Sequence, residues 1–282
     1  MKKLLKKIIP KQISKVSLFV VGAQKAGTSA LHDYLIKHQN VIGGNKKEIN
    51  FFNHPEKFNQ GNSWYHKQFA RPLFYKPKRV FLDSTPQYLS EEGVAKQIYS
   101  YNPDAKIVIL LREPVSRAYS AWNMYKQFSE LSAERKESLI KSHIPKYQVS
   151  NFESIINKTP FPSFDDYINK ELIDGSLTNH YPQIIKRGIY VDQIKPYIDL
   201  FGLDNVLVFE SNYFKTNKVK VTSKVLEAVG LSPLTVAPND LKSVHSRSYE
   251  NPMSKFTEDK LKVFYKPHNE RLFNLINQKF NW

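Results

Sequence analysis

Apolar residues fall along this chain in short blocks that switch between two periods. Ser17-Leu18-Phe19-Val20-Val21 is a β-branched and apolar run that stops at Gly22, and the later Ala30, Leu31, Tyr34 and Leu35 recur at helical spacing. That order predicts a strand over 17–21, a glycine turn and a helix over 28–38. A second strand is expected at Arg79–Asp83, closed by Ser84-Thr85-Pro86, and then a helix from 91 to 101 before the turn Asn102-Pro103-Asp104. Lys106–Leu111 is the strongest strand candidate, with the continuous apolar run of a strand covered on both faces. Pro114 suits the first position of a helix that runs to Phe128. The stretch from Glu130 to Pro162 is polar, lysine-rich and weakly periodic, and reads as an insertion or lid with some local helix.

Beyond it, Ser163 is placed to cap a helix reaching Asp174. Gly188–Phe201 reads as a helix, Asn205–Phe209 as a buried strand, and Lys218–Val229 as a helix ended by Gly230. Residues 231–256 are loop-like, and Thr257 is expected to cap a last helical region ending at Trp282. Strands alternating with helices predict an α/β fold with a mainly parallel central sheet covered by helices on both faces. A single domain over 17–282 is expected, after a basic tail over 1–16.

Composition narrows the function classes. The 282 residues contain no cysteine, which excludes disulfide scaffolds, thiolate metal sites and cysteine nucleophiles. No apolar run approaches the roughly 20 residues of a membrane-spanning helix, so a soluble protein is expected. Lys and Arg number 42 against 26 Asp and Glu, a formal charge of +16 that concentrates anions near the surface without choosing among them. The first fifteen residues hold six lysines and no acid, and read as a solvated tail with at most peripheral contact to an anionic membrane. A cytoplasmic location is expected.

Three segments carry candidate chemistry. In Gly22-Ala23-Gln24-Lys25-Ala26-Gly27-Thr28-Ser29, glycines lie between a strand and a helix, where backbone N–H groups and the helix N-terminus favour a phosphate. The two glycines have nucleotide P-loop spacing, but Thr28 stands where that loop has lysine, and the lysine lies inside the loop at Lys25. In the second segment, Arg112 ends the best strand and Ser120 lies two helical turns beyond it, so both can reach one phosphate. The bland alternative there is an Arg112–Glu113 pair. In Lys46-Lys47-Glu48-Ile49-Asn50-Phe51-Phe52 a carboxylate stands between two lysines and an aromatic pair, which taken alone is a surface charge cluster beside buried rings.

Taken together, FVVGAQKAGTSAL, KKEINFF and VILLREPVSRAYSAW resemble the sulfotransferases that use 3′-phosphoadenosine 5′-phosphosulfate (PAPS), closest in motif to the heparan sulfate and related carbohydrate enzymes. LDSTPQYL, GIYVDQIKPYIDLFGLDNVLVFESNYF and NERLFNLINQKFNW are similar to later segments of the same family. The resemblance implies a P-loop-like three-layer fold and sulfuryl transfer from PAPS to a hydroxyl or amine of a carbohydrate acceptor, an acidic one included, with PAP as product and no metal. It implies that Lys25, Ala26, Gly27, Thr28 and Ser29 hold the 5′-phosphosulfate, with Lys25 also stabilising the leaving phosphate. Arg112 and Ser120 would hold the 3′-phosphate, Glu48 would be the general base, and Lys47 and Phe51 would contact the acceptor. A late cofactor loop should fall within 243–249, with Arg247 toward the nucleotide. The family's Lys-Gly-Arg pattern is absent there, and Ser84 stands where several heparan sulfate enzymes have lysine.

Two other readings stay open at this point. An ATP-dependent kinase would use Asp83, at the end of an apolar strand, to hold magnesium, although the position of Thr28 argues against it. A non-catalytic polyanion-binding module for nucleic acid or acidic glycan would use the basic charge alone, whereas the enzyme reading expects no nucleic-acid partner. His32 and His54 read as ordinary polar or half-buried residues, while sequence leaves His180 and His245 unplaced. No His/Asp/Glu spacing resembles a metal site.

Overall fold

The computed structural model describes residues 15–70, 79–173, 182–235 and 252–282. Its described strands are β1 (Leu18–Gly22), β2 (Val41–Gly43), β3 (Val80–Ser84), β4 (Lys106–Leu111) and β5 (Val206–Glu210). They pair throughout in parallel, in the order β2-β3-β1-β4-β5. Parallel neighbours need long crossovers, and the connections are built from helices. These are α1 (Thr28–Leu35), α2 (Pro55–Phe58), α3 (Gly61–His66), α4 (Val94–Tyr101), α5 (Pro114–Ser129), α6 (Ala133–His143), α7 (Val149–Ile156), α8 (Phe164–Ile173) and α9 (Tyr190–Phe201). After β5 come α10 (Ser211–Thr216), α11 (Lys218–Ala228) and α12 (Lys255–Ile276). The α/β class expected from the alternation of periods is the one observed.

The core follows directly from the apolar runs. Leu18 to Val21 on β1 and Ile107 to Leu111 on β4 are fully buried, as strands with both faces covered must be. Each such Val, Leu or Ile contributes about 1.5–3 kcal/mol relative to exposure. The chain leaves β1 toward β2, returns to β3, and then crosses β1 to reach β4. That reversal opens a crevice above the C-terminal ends of β1, β3 and β4, where open α/β sheets bind ligands.

Several elements depart from expectation. The three-residue edge strand β2 has no run long enough to announce it, and it pairs Val41–Gly43 with Val80–Leu82. The first helix stops at Leu35 rather than at His38. The polar segment 130–162 holds two helices, and α7 buries Phe152, Ile155 and Ile156. At the last helix the cap is Ser254, whose Oγ accepts the Thr257 N–H at 3.2 Å, while Thr257 itself is buried. That helix ends at Ile276, and Trp282 folds back to lie 5.9 Å from the Tyr190 ring.

Candidate active site

Three strand ends build the site. At β1, Ala23 N–H donates to Leu110 O at 2.7 Å and Ala26 N–H to Ala23 O at 3.2 Å, closing a tight loop. Gly22 is required by close approach, because a Cβ there would meet Leu89 Cβ at 2.5 Å. Gly27, at φ 102°, precedes α1, whose first turn receives no side-chain cap. Its N–H groups are thus available to an anion, with the Thr28 and Ser29 hydroxyls beside them.

At β4, Arg112 donates from Nη1 to Lys25 O at 3.4 Å, and its own carbonyl accepts the Tyr190 hydroxyl at 2.8 Å. Glu113 does not serve as an ion-pair partner for Arg112. Its two carboxylate oxygens accept Val115 N–H at 2.9 Å and Ser116 N–H at 2.7 Å, capping α5 while Pro114 takes the first helical position. The capped helix brings Ser120 back toward Arg112, and both line the same cavity.

At β3, Asp83 is buried and is the hub that holds the third segment. Its Oδ2 accepts the Tyr65 hydroxyl at 2.7 Å and the Tyr88 hydroxyl at 3.0 Å, and its Oδ1 accepts Thr85 Oγ1 at 2.7 Å. Tyr88 OH in turn accepts Phe51 N–H at 2.9 Å, and Thr85 Oγ1 accepts Asn50 N–H at 3.4 Å. Burial pushes the Asp83 carboxyl up, against the three hydroxyl donors. Both carboxylate oxygens are thus committed inside the protein, which overturns Asp83 as a magnesium holder and with it the kinase reading's chief support.

The loop so anchored carries Glu48, whose N–H donates to Ser84 O at 3.2 Å. Glu48 sits at φ 63° and Lys25 at φ 71°, left-handed conformations that cost non-glycine residues of the order of 1 kcal/mol or more and that cluster at functional sites. Glu48 Oε1 meets Lys47 Nζ at 2.5 Å, and its Oε2 accepts Gln87 Nε2 at 3.4 Å. Burial raises its carboxyl, but the Lys47 charge and hydrogen bond, with His143 and Gln87, outweigh it and leave the group below the usual carboxylate range. Glu48 is therefore ionised at neutral pH.

These segments converge on one cavity of about 580 Å3 lined by Gln24 to Ala30, Lys47, Glu48, Arg112 and Ser120. Every expected site residue on the described chain reaches it except Phe51. That ring is fully buried, stacked 4.4 Å from Tyr65 at an interplanar angle of 9°, so the acceptor contact expected of it is corrected to a core role under the Glu48 loop. Arg247, with His180 and His245, lies outside the described residues. His32 and His54 prove buried, His32 Nδ1 lying 2.9 Å from Ser84 Oγ.

Sequence reasoning missed several cavity residues. Arg187, Lys215 and Lys218 line it, giving six cations with Lys25, Lys47 and Arg112 against the acids Glu48 and Glu91. His143, at the end of α6, also lines it. Nothing in a polar, weakly periodic stretch marks that histidine; it acquires meaning from a residue 95 positions earlier. The donor set of cations, hydroxyls and an uncapped helix start fits a multiply charged anion of nucleotide size. Among the described residues no group of three or more His, Cys, Asp or Glu side chains is placed to hold a metal.

Known proteins are similar to this chain in fold and sequence. A crystal structure of a sulfotransferase from Alicyclobacillus acidocaldarius superposes with a TM-score of 0.68 at 26% identity, covering 95% of this chain and 98% of that one. Membrane-associated sulfotransferase kil1 of Dictyostelium discoideum is 21% identical over 94% of this chain and 66% of its own length. Human heparan sulfate glucosamine 3-O-sulfotransferase 5 is 36% identical over 36% of this chain and 28% of its own length. The chain thus spans about two thirds of the first of these two relatives and under a third of the second.

The membrane association of kil1 overturns the expected cytoplasmic location. The physical reason is that a basic charge and the lack of a long apolar helix among the described residues bear on what crosses a bilayer, not on which compartment holds the protein. The sulfotransferase domain profile matches residues 15–274, and with the shared fold and the phosphate-loop geometry this shows that the chain belongs to the sulfotransferase domain family, with the heparan sulfate sulfotransferases among its relatives.

Proposed function

We propose that this protein transfers the sulfuryl group of PAPS to a hydroxyl or amine of a carbohydrate acceptor. The observation that carries the reading is one cavity that holds an anion cradle at the ends of β1 and β4 and an ionised Glu48 at the end of β3. PAPS, when bound, supplies the sulfuryl group and a phosphate leaving group. Lys25, the α1 N-terminus, Thr28 and Ser29 bind the 5′-phosphosulfate, and Lys25 offsets charge that gathers on the leaving oxygen. Arg112 and Ser120 bind the 3′-phosphate, the feature that separates PAPS from ATP-like nucleotides. Glu48 takes the proton from the attacking hydroxyl or amine, and Lys47 orients its carboxylate. In-line transfer requires these groups on opposite sides of the reacting sulfur, and positioning supplies much of the rate.

The glycan acceptor is supported by the heparan sulfate relatives and by the excess of cations around the cavity. The test is sulfuryl transfer from labelled PAPS to a panel of glycans, heparan sulfate among them, with wild-type protein and Glu48→Gln. Transfer by wild type and a loss of about 100-fold or more in the variant, with PAP binding intact, is the expected result. A nearly active Glu48→Gln protein overturns the base assignment.

A further inference from the structure

His143 belongs to the two-helix segment inserted after α5, yet it stands in the wall of the same cavity as Glu48. Its neighbour Ser142 bears on which ring nitrogen holds the hydrogen. Ser142 Oγ donates its single proton to the helix, with Ser138 O at 2.7 Å and Leu139 O at 3.2 Å. The same oxygen lies 2.6 Å from His143 Nδ1. A hydroxyl whose proton goes to a helix carbonyl can only accept from its other neighbour, an arrangement that favours the imidazole hydrogen on Nδ1. In the neutral ring Nε2 is then a bare acceptor.

The charged surroundings come from three elements. The loop after β2 presents Lys46, Lys47 and Glu48, the start of α2 presents His54, Glu56 and Lys57, and α6 supplies His143 itself. Burial lowers the His143 imidazole most, Glu48 raises it, and Lys46 and Lys57 lower it, so the ring is neutral at pH 7. His54 is held at about 4 by burial, and Lys57 is lowered to about 8. Glu48 is a poor resting place for a proton, because Lys47 favours its ionised form.

We propose that His143 Nε2 receives the proton that Glu48 removes from the acceptor, so the insertion completes the proton path of the site. The inference rests on Glu48 being the first proton acceptor, and His143 acts through it. In the balanced step the acceptor O–H or N–H bond breaks and the new bond to sulfur forms. The bond from sulfur to the leaving phosphate oxygen breaks with its electron pair on that oxygen, and the proton moves by way of Glu48 to Nε2. The resulting imidazolium is stabilised by the Glu48 carboxylate and by Ser142 Oγ, and it loses its proton to solvent.

The test is 15N-detected NMR of the imidazoles in the full chain, with His143 assigned through His143→Gln, beside pH profiles of transfer to heparan sulfate. The expected spectrum shows Nδ1 protonated and Nε2 bare, the reverse of the tautomer favoured by free histidine. Ser142→Ala should remove that preference, and Glu48→Gln should lower the His143 pKa. In the profiles, His143→Gln should lose about 10- to 100-fold in kcat and the acid limb of kcat, with KM for PAPS unchanged. Protonated Nε2 in the neutral ring, or a His143 pKa indifferent to Glu48→Gln, overturns the relay. An active Glu48→Gln protein overturns instead the reading on which it rests, so the two failures are distinguishable.

Discussion

At the scale of single residues, the position of the Glu48 loop is set by groups that do not line the cavity. Asp83 organises Tyr88 and Thr85, and those hydroxyls hold the backbone of Asn50 and Phe51. Tyr88→Phe removes the acceptor for the buried Phe51 N–H. It should cost about 1–3 kcal/mol by urea denaturation and lower kcat more than it raises KM. A variant as stable and active as wild type would break the link from Asp83 to Glu48. Glu171 offers a test by pH. Burial raises its carboxyl to about 7, against backbone N–H groups of Lys186 and Ile185 and the Arg117 charge that lower it. A carboxyl raised on folding contributes stability that is present below the unfolded value and lost as pH rises toward the folded one. Glu171→Gln keeps an Oε1 to accept the N–H groups of Ile185 and Lys186 and removes the charge. The Tm of the variant relative to wild type should therefore climb between pH 5 and about 8, and a difference flat with pH would contradict the assignment.

At the scale of elements, the site depends on how strands end and helices begin. Glu113 caps α5 with both carboxylate oxygens, and that helix delivers Ser120 to the cavity. Glu113→Ala should lower stability by about 1 kcal/mol and weaken PAP binding without touching the ligand, measured by denaturation and by titration. Unchanged PAP affinity would show that Ser120 needs no cap to find its place. The elements also mark what could be read in advance. β1 and β4 were legible because a strand buried on both faces writes itself as a continuous apolar run. β2 was not, because a three-residue strand that runs into the Gly43-Gly44 pair holds no period. The helices α6 and α7 were obscured because α6 buries none of its residues, and its role lies in the end that carries His143. Phe51 was misread because an aromatic next to a cavity-lining carboxylate looks the same whether it faces a ligand or the core.

At the scale of the whole molecule, a parallel sheet whose strand order reverses around β1 gathers residues from 24 to 218 at one crevice. The motif spacing pointed to the 22–29 loop, Arg112 with Ser120, and Glu48, and the fold brings these segments to one cavity. The net charge of +16 strengthens anion binding generally, so charge alone cannot separate a nucleotide pocket from a polyanion surface. Discrimination must come from the 3′-phosphate. The decisive measurement is a thermal-shift titration of the full chain with PAP, ADP and ATP at fixed salt. A ligand bound only by the native state at about 100 times its Kd adds roughly 2.7 kcal/mol, enough to raise the midpoint visibly. The expected result is stabilisation by PAP well beyond ADP or ATP, abolished in Arg112→Ala. Equal responses to the three nucleotides, or a PAP response that survives Arg112→Ala, would contradict a pocket built for PAPS.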